Sequence, residues 1–248
     1  RRQRQMCIRD RSRSTVIGLK QNSSGKTGVV WVKTEGFNQE NTMVISFIRW
    51  VMVRKKGPMD VSFKTTVPKL KNVLSASELS IPESLTFDSY NKVLSGSSYF
   101  LNDYQIGEII DHADGVTVTE SEHVMATRLW QNTAKVHFDT TARSDGRRLI
   151  YGGHVISMAR ALSFNGLANM QIIAAINGGS HANPCFAGDT IYAWSEVLDT
   201  AQTRISSIGA IRLRLVATKG AVGLLRDENN KYYDDVFLDL DYWAFVPI

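Results

Sequence analysis

Two short stretches of this chain hold residue types that could do chemistry together. The first, Gln131-Asn132-Thr133-Ala134-Lys135-Val136-His137-Phe138-Asp139, reads as a polar loop around a histidine. The second, Ile150-Tyr151-Gly152-Gly153-His154, reads as a glycine turn that runs into the apolar stretch 155–162. Histidine titrates near neutral pH, so His137 is a candidate general base. A glycine pair at a helix start leaves backbone N–H groups exposed, which suits a developing oxyanion. A base and an oxyanion donor are the minimum needed to work on a carbon beside a thioester.

The residues around this pair are more ambiguous. Asn132 cannot titrate, but its amide can donate and accept and so orient a water molecule. A carboxylate for the histidine could come from Asp139 or Glu122; Asp139 could equally hold a backbone N–H, and Glu122 could complete a helix cap. Arg143, Arg147 and Arg148 lie between the two stretches. They could pair bidentately with a substrate carboxylate or simply form a solvated turn. His154 reads as a helix-cap histidine. His112, His123 and His181 show no metal-ligand spacing, so no metal site is expected. Cys185, beside Asn183-Pro184, reads as packing.

The elements that must position these residues follow from periodicity and turn chemistry. Residues 15–56 read as three strands, at 14–20, 27–36 and 42–54, separated by polar turns. Three such strands cannot close a core alone. Residues 57–101, with Gly57-Pro58, Pro68 and Pro82, read as a linker with little regular structure. Residues 102–248 read as a second unit. In it, Thr119 is a candidate N-cap with Glu122 three residues on, opening a helix to about Trp130. A helix from His154 to about Asn165 carries Val155, Met158, Ala159 and Leu162 at i, i+3, i+4 and i+7. Strands follow at 170–178, 190–200 and 205–218, and 237–247 reads as a late strand or tail. No internal repeat is visible.

Composition narrows the classes. The chain has 248 residues, of which 43% are hydrophobic and 21% charged. The net charge of +5 sits in residues 1–14, which hold six arginines and one aspartate; the remainder carries 23 basic and 23 acidic residues. That balance gives no electrostatic reason to expect nucleic acid. Residues 1–14 are expected to form no part of the fold. They read either as a disordered basic segment or as a foreign one, since Met6-Cys7-Ile8-Arg9-Asp10 matches the translation of a sequencing adapter. No run of 18 uncharged apolar residues calls for a membrane span. Two cysteines, Cys7 and Cys185, make no disulfide framework, which fits a reducing, cytoplasmic setting.

The two stretches resemble the MaoC-like (R)-specific enoyl-CoA hydratases of the hot-dog fold. Their loop runs Gly-Asp-x-Asn-Pro-x-His-x-Asp, and a later Ala-His-Gly precedes a helix. His137 and Asp139 match the end of the loop, and Gly153 matches the later glycine. Asn132 stands where that family carries its catalytic Asp, and Ala134-Lys135 replaces Asn-Pro. Longer runs at 16–55, 129–139, 148–169 and 176–199, with the ending Leu238-Asp239-Leu240-Asp241-Tyr242-Trp243, resemble the mesaconyl-CoA hydratase (β-methylmalyl-CoA dehydratase) family. The resemblance implies an α+β double hot-dog whose N-terminal half is incomplete and whose C-terminal half is complete. It implies a hydro-lyase acting on an acyl-CoA thioester without a cofactor. His137, Asn132, Gly153 and Asp139 would be the catalytic set, and Gly152, Arg143, Arg147 and Arg148 would bind substrate. It further implies a homo-oligomer joined through sheet edges. A generic (R)-enoyl-CoA hydratase, another hot-dog acyl-CoA enzyme and a non-catalytic hot-dog half remain open alternatives.

Overall fold

The computed structural model describes residues 11–56, 64–220, 223 and 225–248. Of the segment 1–14, residues 1–10 lie outside the described residues, while residues 11–14 begin the first strand. The chain divides into two compact units between Lys71 and Asn72.

The first unit is an antiparallel meander of β1 (Arg11–Gln21), β2 (Thr27–Phe37) and β3 (Met43–Arg54), in the order β1-β2-β3. Gly25 supplies the left-handed residue of the first turn and Asn41 that of the second. The register of β1 breaks at Gly18, where residues 64–71 cross the strand: Leu19 and Thr66 exchange backbone hydrogen bonds of 2.8 Å. β3 exposes apolar side chains on both faces, Val44, Ile48 and Trp50 on one and Ile45, Phe47 and Val53 on the other. That pattern belongs to strands covered on both sides.

The second unit contains β4 (Ile109–Thr117), α1 (Glu120–Leu129), α2 (Gly152–Leu162), the single turn α3 (Phe164–Leu167), β5 (Ile172–His181), β6 (Thr190–Gln202), β7 (Ile208–Thr218) and β8 (Val236–Pro247). Its five strands pair antiparallel in the order β4-β6-β7-β8-β5. α2 lies across one face. Val155 and Ala159 are buried, and Met158 and Leu162 pack at their margin, so the expected apolar stripe faces the core. Opposite it stand Ile191, Val197, Leu213, Leu215, Leu240 and Tyr242. One helix wrapped by an antiparallel sheet is the hot-dog arrangement.

Two expectations change and a third is narrowed. α2 stops at Leu162 because Asn165 leaves helical geometry and Gly166 takes a φ of 93°. His112 of β4 fixes that break: its Nδ1 donates to the Asn165 carbonyl at 2.6 Å, and Asn165 Nδ2 donates back to the His112 carbonyl at 3.0 Å. Of the two readings of 237–247, a late strand or a tail, the strand holds: β8 lies inside the sheet between β7 and β5, and nearly all of it is buried. Finally, the second half of the expected linker is no linker. Leu79 and Ile81 are buried against Ile208, Ala210, Trp243 and Phe245 on the sheet face away from α2. Trp243 Nε1 donates to the Leu74 carbonyl at 3.0 Å, and the Leu74 N–H donates to Asn177 Oδ1 at 3.0 Å. Residues two apart on β8 share a face, so Tyr242 looks to the helix while Trp243 looks to this cover. Among the described residues no helix is long and apolar enough to cross a membrane.

Candidate active site

The loop that carries His137 is built by local hydrogen bonds. Thr119 caps α1 by accepting the Glu122 N–H at 3.3 Å. After Trp130 the chain turns through Gln131, which has a φ of 54°. Asn132 Oδ1 then accepts the Ala134 N–H at 2.9 Å, an Asx turn that leads into the 3-10 turn Lys135–His137. The Leu149 N–H donates to the Val136 carbonyl at 2.9 Å, and His137 Nδ1 lies 2.8 Å from the Leu149 carbonyl. A carbonyl only accepts, so Nδ1 carries the hydrogen and Nε2 of the neutral ring keeps its lone pair.

His137 lines a cavity of about 550 Å³ together with Tyr151, Gly152, Gly153, His181 and Cys185. The second sequence stretch enters this cavity as the first turn of α2. Its first internally bonded amides are those of His154 and Val155, which reach the Tyr151 carbonyl at 2.8 and 3.3 Å. The N–H groups of Gly152 and Gly153 have no acceptor among the described residues. They are the orphan donors of a helix start, with the positive end of the helix dipole behind them. Both positions exclude a side chain. A β-carbon on Gly153 would sit 2.6 Å from Cε1 of Tyr151, and one on Gly152 would collide with the His181 ring.

Behind the turn lies an aromatic and histidine layer. The Tyr151 N–H donates to His123 Nε2 at 3.0 Å, which ties the start of α2 to α1. The Tyr151 ring stands edge-on to His137 with centroids 5.5 Å apart, and Trp130 backs Tyr151 at 5.8 Å. His123 is fully buried. Burial, then the neighbouring His154 and His137, pushes its pKa down to about 4, so it serves as a neutral acceptor. His154 is also buried, with Nε2 3.6 Å from Glu122 Oε1. Burial lowers its pKa while Glu122 acts in the opposite direction.

The structure therefore brings together His137, Gly152 and Gly153. It places the other expected residues elsewhere. Asn132 is occupied by its turn and does not line the cavity. Asp139 accepts the N–H and hydroxyl of Thr141 at 2.9 and 2.6 Å, which holds its carboxyl below the usual range. Glu122 faces His154 rather than His137. Arg143 grips Asp145 bidentately at 3.0 and 2.6 Å. Arg148 donates to Glu120 at 2.8 Å and to the Phe138 carbonyl at 3.0 Å. The Arg147 guanidinium stacks over Phe186 at 3.7 Å and meets no carboxylate among the described residues. Cys185 is a wall of the cavity: its thiol is pushed up to about 12 by burial first and by Asp189 next, so it holds no reactive thiolate. His123, Tyr151 and His181 were not singled out as site residues. Tyr151 had a signal, since it directly precedes the glycine pair; the other two are brought in by packing alone. Among the described residues no group of three or more His, Cys, Asp or Glu side chains is placed to hold a metal ion.

No family model matches the chain. Among curated proteins it is 61% identical to the mesaconyl-CoA hydratase of Cereibacter sphaeroides over 239 residues, covering 96% of this chain and 70% of that protein. It is 51% identical to the β-methylmalyl-CoA dehydratase of Chloroflexus aurantiacus over 241 residues, covering 94% of this chain and 68% of that one. Among solved structures, a MaoC domain protein dehydratase of Chloroflexus aurantiacus superimposes with a TM-score of 0.89 at 48% identity, over 96% of this chain and 70% of the other. A conserved Mycobacterium tuberculosis protein with a double hot-dog fold superimposes at 0.65 and 21% identity, over 96% of this chain and 69% of the other, so both units fall within that fold. The chain belongs to the mesaconyl-CoA hydratase and β-methylmalyl-CoA dehydratase family of MaoC-like double hot-dog proteins.

Proposed function

We propose that this protein catalyses the reversible hydration of mesaconyl-CoA to β-methylmalyl-CoA. The observation that carries this reading is the hydrogen bond from His137 Nδ1 to Leu149, which leaves a basic Nε2 on a residue lining the same cavity as two unpaired glycine N–H groups. Nε2 takes a proton from water as the water oxygen bonds to the β-carbon of the enoyl thioester. The electron pair of the double bond moves onto the thioester oxygen, where the Gly152 and Gly153 N–H groups stabilise it. The proton on His137 then returns to the α-carbon as the carbonyl re-forms, so the sum is one water added. Asn132 and Asp139 shape the loop that presents His137. Arg147 is the cation we assign to the free carboxylate of the substrate, because Arg143 and Arg148 are already engaged by Asp145 and Glu120.

The same reading extends to setting. Copies of the protein pair through exposed sheet edges, of which β5, with Ile172, Ile173 and Ile176 exposed, is one. Among the described residues the free thiol is the buried Cys185, which suits the cytoplasm.

The test is turnover by the full-length protein with mesaconyl-CoA and, in parallel, crotonyl-CoA. We expect preference for mesaconyl-CoA and, for His137→Ala, a kcat lower by about 10²–10⁴-fold with KM little changed. Near-normal turnover by His137→Ala would overturn the assignment of the base, and preference for crotonyl-CoA would overturn the substrate.

A further inference from the structure

We propose that His181 supplies a third donor to the thioester oxygen, its Nε2–H acting beside the N–H groups of Gly152 and Gly153. The inference rests on the hydration reading above. His181 is the last residue of β5 and is held in register opposite Leu238 of β8, which brings its ring over the first turn of α2. Of all atoms around Gly152, the three that would obstruct a β-carbon there are His181 Nε2, Cε1 and Cδ2, with Nε2 the nearest. The ring edge bearing Nε2 therefore rests on Gly152, and only glycine permits that approach.

The donors at this place are open to solvent or substrate rather than spent on protein acceptors. Neither ring nitrogen of His181 has a hydrogen-bond partner among the described residues, and neither do the two glycine amides. All three residues border the cavity that His137 lines. The neighbouring Asn183, by contrast, spends its amide group on the Tyr233 and Val236 carbonyls at 2.8 and 2.9 Å. A neutral imidazole with its hydrogen on Nε2 donates without being consumed, so it stabilises the enolate oxygen and leaves the proton transfers to His137.

The test compares two variants of the full-length protein that separate donation from packing. His181→Phe keeps a ring over Gly152 and removes the donor; His181→Gln removes the ring and keeps an N–H donor. We expect His181→Phe to lower kcat on mesaconyl-CoA by about 10²–10³-fold at little-changed KM, and His181→Gln to retain most of the rate. Infrared difference spectra of a bound acyl-CoA labelled with ¹³C at the thioester carbonyl should show the C=O stretch moved to lower wavenumber in the wild type and less so in His181→Phe. The opposite order of the two variants, equal loss in both, or wild-type kcat in both would overturn the proposal. A wild type inactive on mesaconyl-CoA would instead sink the hydration reading, while the carbonyl shift with any bound acyl-CoA would still report on His181.

Discussion

At Gly153 a methyl group would have to sit 2.6 Å from Cε1 of Tyr151, and Tyr151 cannot give way freely because His137 and Trp130 pack against its ring. Gly153→Ala therefore trades two effects. Alanine favours the helix over glycine by about 0.5–1 kcal/mol, so the melting temperature should change little. Turnover should fall by about 10²-fold, the scale of losing one oxyanion donor, because the displaced ring disturbs both the turn and His137. Unchanged kcat in Gly153→Ala would show that the turn does not meet the reacting oxygen. His137 and the glycine pair were expected together from the sequence, and they line one cavity because the short stretch between them folds back through the Val136 and Leu149 backbone; what they do there is the proposal. The arginines were not legible in the sequence, since whether a guanidinium is free depends on partners such as Glu120, which reaches Arg148 only through the fold. His123 and His181 were hidden for the same reason: strand and helix packing bring them to residues 151–153, and nothing in their own surroundings announces it.

Among the elements, the two helices were the most readable. A capping threonine and an i, i+3, i+4, i+7 stripe are local signals, and both are realised at Thr119 and along α2. The end of α2 was less so, because its break is set from β4 by His112. The cover formed by residues 72–100 had no periodic signal at all: its many serines, with Pro82 inside it and Pro58 and Pro68 before it, suggest a linker, and only the apolar side chains set among them give it a place on the sheet. Its contribution can be measured. Ile81→Ala removes a buried side chain facing Trp243 and Phe245 and should cost about 2–3 kcal/mol in denaturant unfolding. A cost near zero would return the segment to the status of a tether.

Over the whole molecule, buried histidines tie stability to acidity. Burial is the largest cause of a lowered pKa at His112, His123 and His154. Each takes up a proton more readily when the chain is unfolded, so acid favours unfolding. The stabilisation is complete above the ordinary histidine pKa of 6.5 and is lost as pH falls toward the folded value, about 4 for His123. Unfolding free energies at pH 7, 6 and 5 should therefore decline before most carboxylates titrate, and His123→Gln should flatten the decline. A flat profile in the wild type would contradict the burial of these rings. The strand order carries a consequence of another kind, for a chain emerging from a ribosome. β5 has β8 as its neighbour in the sheet, and the whole stretch 182–235 must be made between them. While that stretch is being translated, β5 and the His181 at its end have no template, and an unpaired apolar edge waits in the open. The His181 side of the cavity can thus be fixed only after residues 236–247 have been made, and a nascent chain halted before β8 would present chaperones with a bare edge where the folded chain has a cavity wall.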